Sequence, residues 1–212
     1  MQNPSNTRSI KIGEDERTGW SSDRPRRGGG PPRPADISVR CRALSPAEAL
    51  RYSPGSLLLV ASASAEQRDY FVERLITDRA SVLSLDKVRR LLAGRVPEDE
   101  IEARAAELLD AAASKRFEAN ESVVIAAKGL DPDERERYAR LAASHRRPRH
   151  VILVEAPQDQ VEEEDRRALN ELRRRLDAGE LGSEGFQTAL RLGGASVSEL
   201  KRIAFAPEPR DD

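Results

Sequence analysis

Residues Ser56 to Ile76, SLLLVASASAEQRDYFVERLI, constrain this chain more than any other stretch. Leu57 to Val60 is an unbroken apolar run, and Ala61 to Ala65 is a turn of small residues. The stretch that follows places Tyr70, Phe71, Leu75 and Ile76 at helical spacing. A short apolar strand that turns directly into an amphipathic helix is the opening of a βα unit, so the rest of the chain is expected to supply further strands and helices in alternation.

It does so at regular intervals. Ala80 to Leu85 reads as a second strand, running into a helix from Asp86 to Leu92 that Gly94 ends. Pro97 starts a longer helix to about Glu118, with Ile101, Ala105, Leu108, Leu109, Ala112 and Phe117 on its apolar face. Ser122 to Ala127 is a third strand, followed by a capped helix start at Asp131-Pro132-Asp133-Glu134, and His150 to Glu155 is a fourth strand that Ala156-Pro157 stops. Asp159 to about Ala178 is a highly charged helix in which Glu162 and Glu163 stand four residues before Arg166 and Arg167, the spacing of solvated self-pairing. A helix is expected from Gly185 to Leu192, a capping box at Ser196 to Glu199 and a last strand at Arg202 to Phe205. Ahead of the opening unit, Ile37 to Ala43 alternates like an edge strand with Cys41 facing inward, and Ser45-Pro46-Ala47-Glu48 has the form of a capping box for a short helix to Tyr52. The expected fold is a three-layer α/β domain over residues 37–206, built on a largely parallel sheet of about five strands. Residues 207–212 are expected to be a loose tail.

Residues 1–36 carry few apolar groups, and Arg24 to Pro34 (RPRRGGGPPRP) is entirely Arg, Gly and Pro. Such a segment cannot bury enough surface to offset its chain entropy, so a disordered basic tail is expected. It is either a tether or an arm that contacts RNA, DNA or a protein partner. Net charge is −1 overall, yet residues 1–54 hold ten Lys and Arg against six Asp and Glu, which leaves the remainder mildly acidic. Trp20 stands alone in the tail. One cysteine allows no intrachain disulfide, and one cysteine with two histidines assembles no Cys/His metal cluster. No apolar run approaches the roughly 20 residues of a membrane span, so no membrane association and a reducing, cytoplasmic setting are expected.

A phosphate-binding loop, G-x-x-x-x-G-K-[ST], would sit in the turn after Val60. Its chemistry needs glycines so that backbone N–H groups can wrap a phosphate, a lysine for the outer phosphates and a hydroxyl for Mg²⁺. Laid over the sequence from Ala61, through Ser62 and Ser64, the required positions fall on Ala61, Glu66, Gln67 and Arg68. Glu66 sets a carboxylate where the triphosphate would lie, Gln67 carries no charge, and Arg68 brings a cation one position late.

Taken together, Leu57 to Phe205 resembles the P-loop kinase family, most closely its polynucleotide 5′-kinase branch, with a degenerate phosphate-binding loop. Besides the opening βα unit, VLSLDKVRRLLAG (Val82 to Gly94) is similar to that branch's segment after the second strand. The resemblance implies that Asp86 and Arg89 stand where a general base for a 5′-hydroxyl and an acceptor-phosphate contact would be. As residues, the same pair also fits a plain helix cap with an exposed arginine. Val123 to Pro157 is similar to the family's third strand, proline-started helix and fourth strand, but Ala127-Lys128-Gly129 replaces its acidic and amide turn. Lys128, Arg173 and Arg174 are candidate anion contacts. Losing the loop's lysine and hydroxyl removes most of what a protein contributes to phosphoryl transfer. The expectation is a non-catalytic pseudo-kinase used as a binding or scaffold module, with no cofactor and no metal site. Two alternatives stand beside it: an active ATP- and Mg²⁺-dependent kinase with a rebuilt phosphate site at Arg68, and a purely structural protein-interaction domain.

Overall fold

A computed structural model of the chain describes residues 35–206. The Arg/Gly/Pro segment, Trp20 and the tail from residue 207 lie outside the described residues. In chain order the elements are β1 (Arg42–Ala43), β2 (Ala49–Tyr52), β3 (Leu57–Ala61), α1 (Ala65–Leu75), β4 (Val82–Ser84), α2 (Leu85–Leu92), α3 (Ile101–Glu118), β5 (Val123–Ala126), α4 (Pro132–Ser144), β6 (Arg149–Val154), α5 (Glu163–Asp177), β7 (Thr188–Leu192), α6 (Ala195–Glu199) and β8 (Arg202–Phe205). Short 3₁₀ turns at Glu98–Glu100 and Glu180–Glu184 precede α3 and follow α5.

Six strands form one sheet in the order β1-β7-β6-β3-β5-β4, and every pairing in it is parallel. β3 lies at its centre, with Leu57 opposite Val123 on one side and Arg149 on the other. Such a strand meets apolar layers on both faces, which is why it reads as a continuous apolar run rather than an alternating one. Leu57, Leu59 and Ala61 pack with Leu109, Phe117, Tyr138 and Leu169 of α3, α4 and α5, whereas Leu58 and Val60 pack with Phe71, Val72 and Leu75 of α1. Each fully buried leucine contributes about 1.5–3 kcal/mol from removal of its side chain from water. From β3 the chain passes to the edge strand β4, returns through β5, and then crosses to β6 on the far side of β3. The winding therefore reverses at β3, and ligands in open α/β sheets bind in the crevice outside the carboxyl ends of the strands at such a point.

The largely parallel three-layer sheet agrees with expectation, but it has six strands rather than about five, and several elements differ. The capping-box sequence before Tyr52 opens a strand, not a helix: Leu50 and Tyr52 are buried, Ala49 and Arg51 exposed, and β2 pairs with β8 in a separate two-stranded parallel sheet. β8 is thus a strand as expected, although it does not extend the main sheet. The expected helix from Gly185 to Leu192 is β7, inserted between β1 and β6, where pairing of Val151 with Ala189 and of Ile152 with Leu190 overrides local helix preference. The edge strand shortens to Arg42 and Ala43, because upstream the Val39 N–H turns to the Gly182 carbonyl and Ile37 packs against Gly185. Cys41 is a half-buried free thiol packed against the core. On α5 the ion pair forms between Glu163 and Arg166, three residues apart rather than four. No helix among the described residues is long and apolar enough to cross a membrane.

Candidate functional site

The turn after β3 is closed by its own hydroxyls. Buried Ser62 accepts a hydrogen bond from the Ser64 N–H at 3.2 Å, and Ser64, the N-cap of α1, accepts from the Gln67 N–H at 3.3 Å. Two amides that a phosphate-wrapping loop would present are therefore engaged within the turn. Glu66 is exposed, and the Gln67 amide donates to Gln160 at 3.3 Å. Ser64→Ala is expected to cost about 1 kcal/mol, the usual loss of an N-cap, read as a lower urea midpoint at unchanged slope.

Arg68 points inward from the first turn of α1. It is 1% exposed, and its Nη1 donates to the Ala127 carbonyl at the carboxyl end of β5. Its Nε donates to Asp69 at 2.8 Å, while Nη2 lies 2.7 Å from Asp69 and 3.5 Å from Asp86 without a well-aligned hydrogen bond to either. The guanidinium thus links the first turn of α1 to the end of β5 and the start of α2. From it a line of alternating charge runs along the crevice. Asp86 pairs with Arg89 at 3.1 Å, the Nε of Arg89 donates to Glu102 of α3 at 2.5 Å, and Lys128 Nζ donates to Glu102 at 3.3 Å. The Lys128 N–H donates to Glu134 of α4 at 2.9 Å. The hydrogen bond between Arg89 and Glu102 raises the arginine pKa and lowers that of the carboxyl, and burial raises the pKa of Glu134.

Beside this line opens a cleft of about 1040 Å³, between the turn after β3, the start of α3, the turn after β5 and the starts of α4 and α5. Leu85, Ala103, Ala106, Leu130 and Tyr138 form its apolar surface. Asp99, Glu102, Asp131, Asp133, Glu134 and Asp165 face it, against the two cations Lys128 and Arg137. Among the described residues no three His, Cys, Asp or Glu side chains converge to hold a metal ion.

The structure brings together Arg68, Asp86, Arg89 and Lys128, with Ala61, Ser62 and Ser64 in the adjoining strand end and turn. Arg173 lies elsewhere, in a pocket of about 520 Å³ with Glu155, Arg191, Gly193 and Ser196, where its Nε donates to Glu155 at 2.9 Å. Arg174 pairs with Glu171 and Glu180, both at 2.9 Å, outside either pocket. Sequence reasoning missed the acidic side of the cleft. The available signal was acid in the first turns of successive helices, in PEDEIE, DPDE and EEED.

Comparison with known proteins gives the family. No curated protein matches the chain. A solved structure of a candidate kinase from Chloroflexus aurantiacus is similar at 16% identity and a TM-score of 0.40, over 67% of this chain and 86% of that one. A family model described as "AAA domain" matches residues 68–181. That match spans more than half of the 212 residues, and the chain accordingly belongs to the AAA domain family.

Proposed function

We propose that this domain is a non-catalytic relative of the polynucleotide-kinase-like P-loop proteins, serving as a binding module rather than a phosphotransferase. The observation that carries the reading is Arg68. Its guanidinium is buried against the Ala127 carbonyl and two aspartates, inside the strand ends rather than turned toward a ligand. The hydroxyls of Ser62 and Ser64 occupy loop amides, and the neighbouring cleft has an excess of carboxylates that repels a triphosphate. The family match begins at Arg68 and so leaves out Ala61 to Gln67. These residues do not fit an ATP·Mg²⁺ site. A nucleic-acid end is likewise disfavoured at Asp86 and Arg89, since Glu102 already holds Arg89. Contact with RNA or DNA is a proposal for the basic arm alone, tested by whether salt-sensitive binding falls when Arg24, Arg26, Arg27 and Arg33 become alanine.

The deciding experiment is calorimetric titration of ATP with Mg²⁺ into the purified protein. No saturable heat is expected up to millimolar nucleotide. Binding that is lost in Arg68→Ala would replace this reading with that of a kinase whose phosphate site has been rebuilt around the arginine. Arg68→Ala is also expected to cost about 2–3 kcal/mol of stability, since it leaves the buried Ala127 carbonyl without its charged donor. Equilibrium urea unfolding checks this, and an unchanged midpoint would mean that the guanidinium is not seated as described.

A further inference from the structure

We infer that α2 and the first half of α3 form the interface of a homodimer, in which two copies of this chain pair about a two-fold axis. The inference does not depend on whether the domain binds nucleotide. Residues 85–104 are the longest stretch among the described residues without a buried side chain. Leu85, Val88, Leu91, Leu92, Val96 and Ile101 all lie in it, and of these only Leu85 and Val88 pack against the core, each in part. Leu91 is 65% exposed, and Leu108, seven residues beyond Ile101 and so on the same stripe of α3, is 49% exposed. α2 is otherwise held by polar contacts, Asp86 to Arg68 and Arg89 to Glu102 of α3. A single exposed leucine is ordinary. A packed pair of helices whose six aliphatic residues all stay short of burial is a face that lacks its cover.

Charge on the same stretch selects the occupant. Lys87, Arg90 and Arg95 come first, and Glu98, Asp99 and Glu100 follow in the turn before α3. Arg90 donates to the Asp86 carbonyl of its own helix at 3.3 Å, and Lys87, Arg95, Glu98 and Asp99 form no ion pair among the described residues. Glu100 has only Arg104, at 3.9 Å. A partner of uniform sign, a nucleic acid among them, would be attracted by one half of this face and repelled by the other. A second copy turned about a two-fold axis answers both halves, since an isologous interface sets residue i against j and j against i. The basic half of each copy then meets the acidic half of the other, with Leu91 between them. Residues 85–108 number 24, against about 20–30 residues per partner in an interface of standard size, and some of the 24 face their own core. A reversible dimer of micromolar affinity is therefore expected rather than a permanent one.

The test is sedimentation velocity of the full chain from sub-micromolar to several hundred micromolar concentration. The apparent mass is expected to rise from that of one chain, 23.5 kDa, toward twice that value. Leu91→Glu should raise the dimer dissociation constant at least about tenfold, because a carboxylate would be buried in the interface without a partner. Leu91 is exposed in the single chain, so the thermal unfolding midpoint at sub-micromolar concentration, where the dimer is dissociated, should stay within a few degrees of the native value. Charge reversal is the second arm and leaves the apolar residues alone. Lys87→Glu with Arg95→Glu in one variant, and Glu98→Lys with Asp99→Lys in another, should each stay monomeric, since both halves of the face then carry like charge. Mixed in equal amounts, the two should form a heterodimer with an affinity within a few fold of the native dimer, because each half again meets its opposite. Should Leu91→Glu fail to fold, the mixing experiment decides alone. A chain that stays monomeric to several hundred micromolar would overturn the proposal, as would a dimer that survives Leu91→Glu and both reversals. A mass that grows past two copies without limit would overturn it in favour of a head-to-tail contact. A mixture of the two reversed variants that stays monomeric would sink the two-fold pairing.

Discussion

Replacing Glu184 by alanine is expected to destabilise the domain by about 3–5 kcal/mol, because it strands buried positive charge. Glu184 is 5% exposed and Arg135 is 3% exposed, and the two form a bidentate pair with both hydrogen bonds at 2.9 Å. Arg175 binds the same carboxylate from α5. Removing the glutamate therefore leaves the buried Arg135 guanidinium and the largely buried one of Arg175 beside each other without the carboxylate they share. Arg135→Met is expected to cost less, since Glu184 keeps Arg175 and the methionine fills part of the vacated space. Urea unfolding of the two variants side by side checks the order. A loss below about 1 kcal/mol for Glu184→Ala would place the cluster among ordinary solvated ion pairs. The cluster also bears on the cleft, because Arg135 donates to the Leu130 carbonyl at 2.6 Å and Leu130 lines the cleft wall.

Stability is expected to fall by about 2 kcal/mol between pH 7 and pH 5 through one histidine. His150 is the second residue of β6, paired with Thr188 of β7, where it stacks on Tyr52 with ring centroids 4.5 Å apart and its Nδ1 lies 2.8 Å from Thr188 Oγ1. Burial, with a smaller effect from the Arg149 charge, pushes its pKa down from 6.5 to about 4. The unfolded chain then binds a proton that the folded one refuses. Stability is thus fully present above about pH 6.5, declines as pH falls toward 4, and loses about 3 kcal/mol by the end of that window. Glu134 acts in the opposite sense, since burial raises its pKa and its stabilising contribution is lost as pH rises past the ordinary carboxylate range. The His150→Gln variant separates the two. Its unfolding free energy should change by at least about 1 kcal/mol less than that of the native chain between pH 7 and pH 5, and parallel pH profiles would show that His150 is not excluded from protonation in the fold.

Much of the sheet was legible in the residues because its central strands are unmistakable locally. Leu57 to Val60, Val123 to Ala126 and His150 to Val154 are short apolar runs with turn residues after them, and nothing but a buried strand suits that pattern in a chain of alternating helices. The edges were less legible. Ala49 to Tyr52 and Thr188 to Leu192 carry residues that are comfortable in a helix, and what makes them strands is a partner far away in sequence: Arg202 to Phe205 for the first and His150 to Val154 for the second. Local preference amounts to tenths of a kcal/mol per residue, and sheet pairing with burial outweighs it.

The same division applies to the candidate site. The sequence by itself determined which groups are absent from the turn after β3, namely its glycines, lysine and following hydroxyl, and it determined that helix after helix begins with acid, each of which suits the positive end of its own helix dipole. Only the tertiary structure decided where those groups stand together. In a parallel α/β sheet a helix that follows a strand starts at that strand's carboxyl end, as α4 does after β5 and α5 after β6, and α3 runs from that end back to the start of β5, so the acidic first turns of α3, α4 and α5 gather around one crevice and sum their charge there. The position of Arg68 was decided in the same way. Its place one residue late in the loop is a matter of sequence, whereas its burial against Ala127 requires β5 to lie beside β3, a neighbour that the chain reaches only after more than fifty further residues.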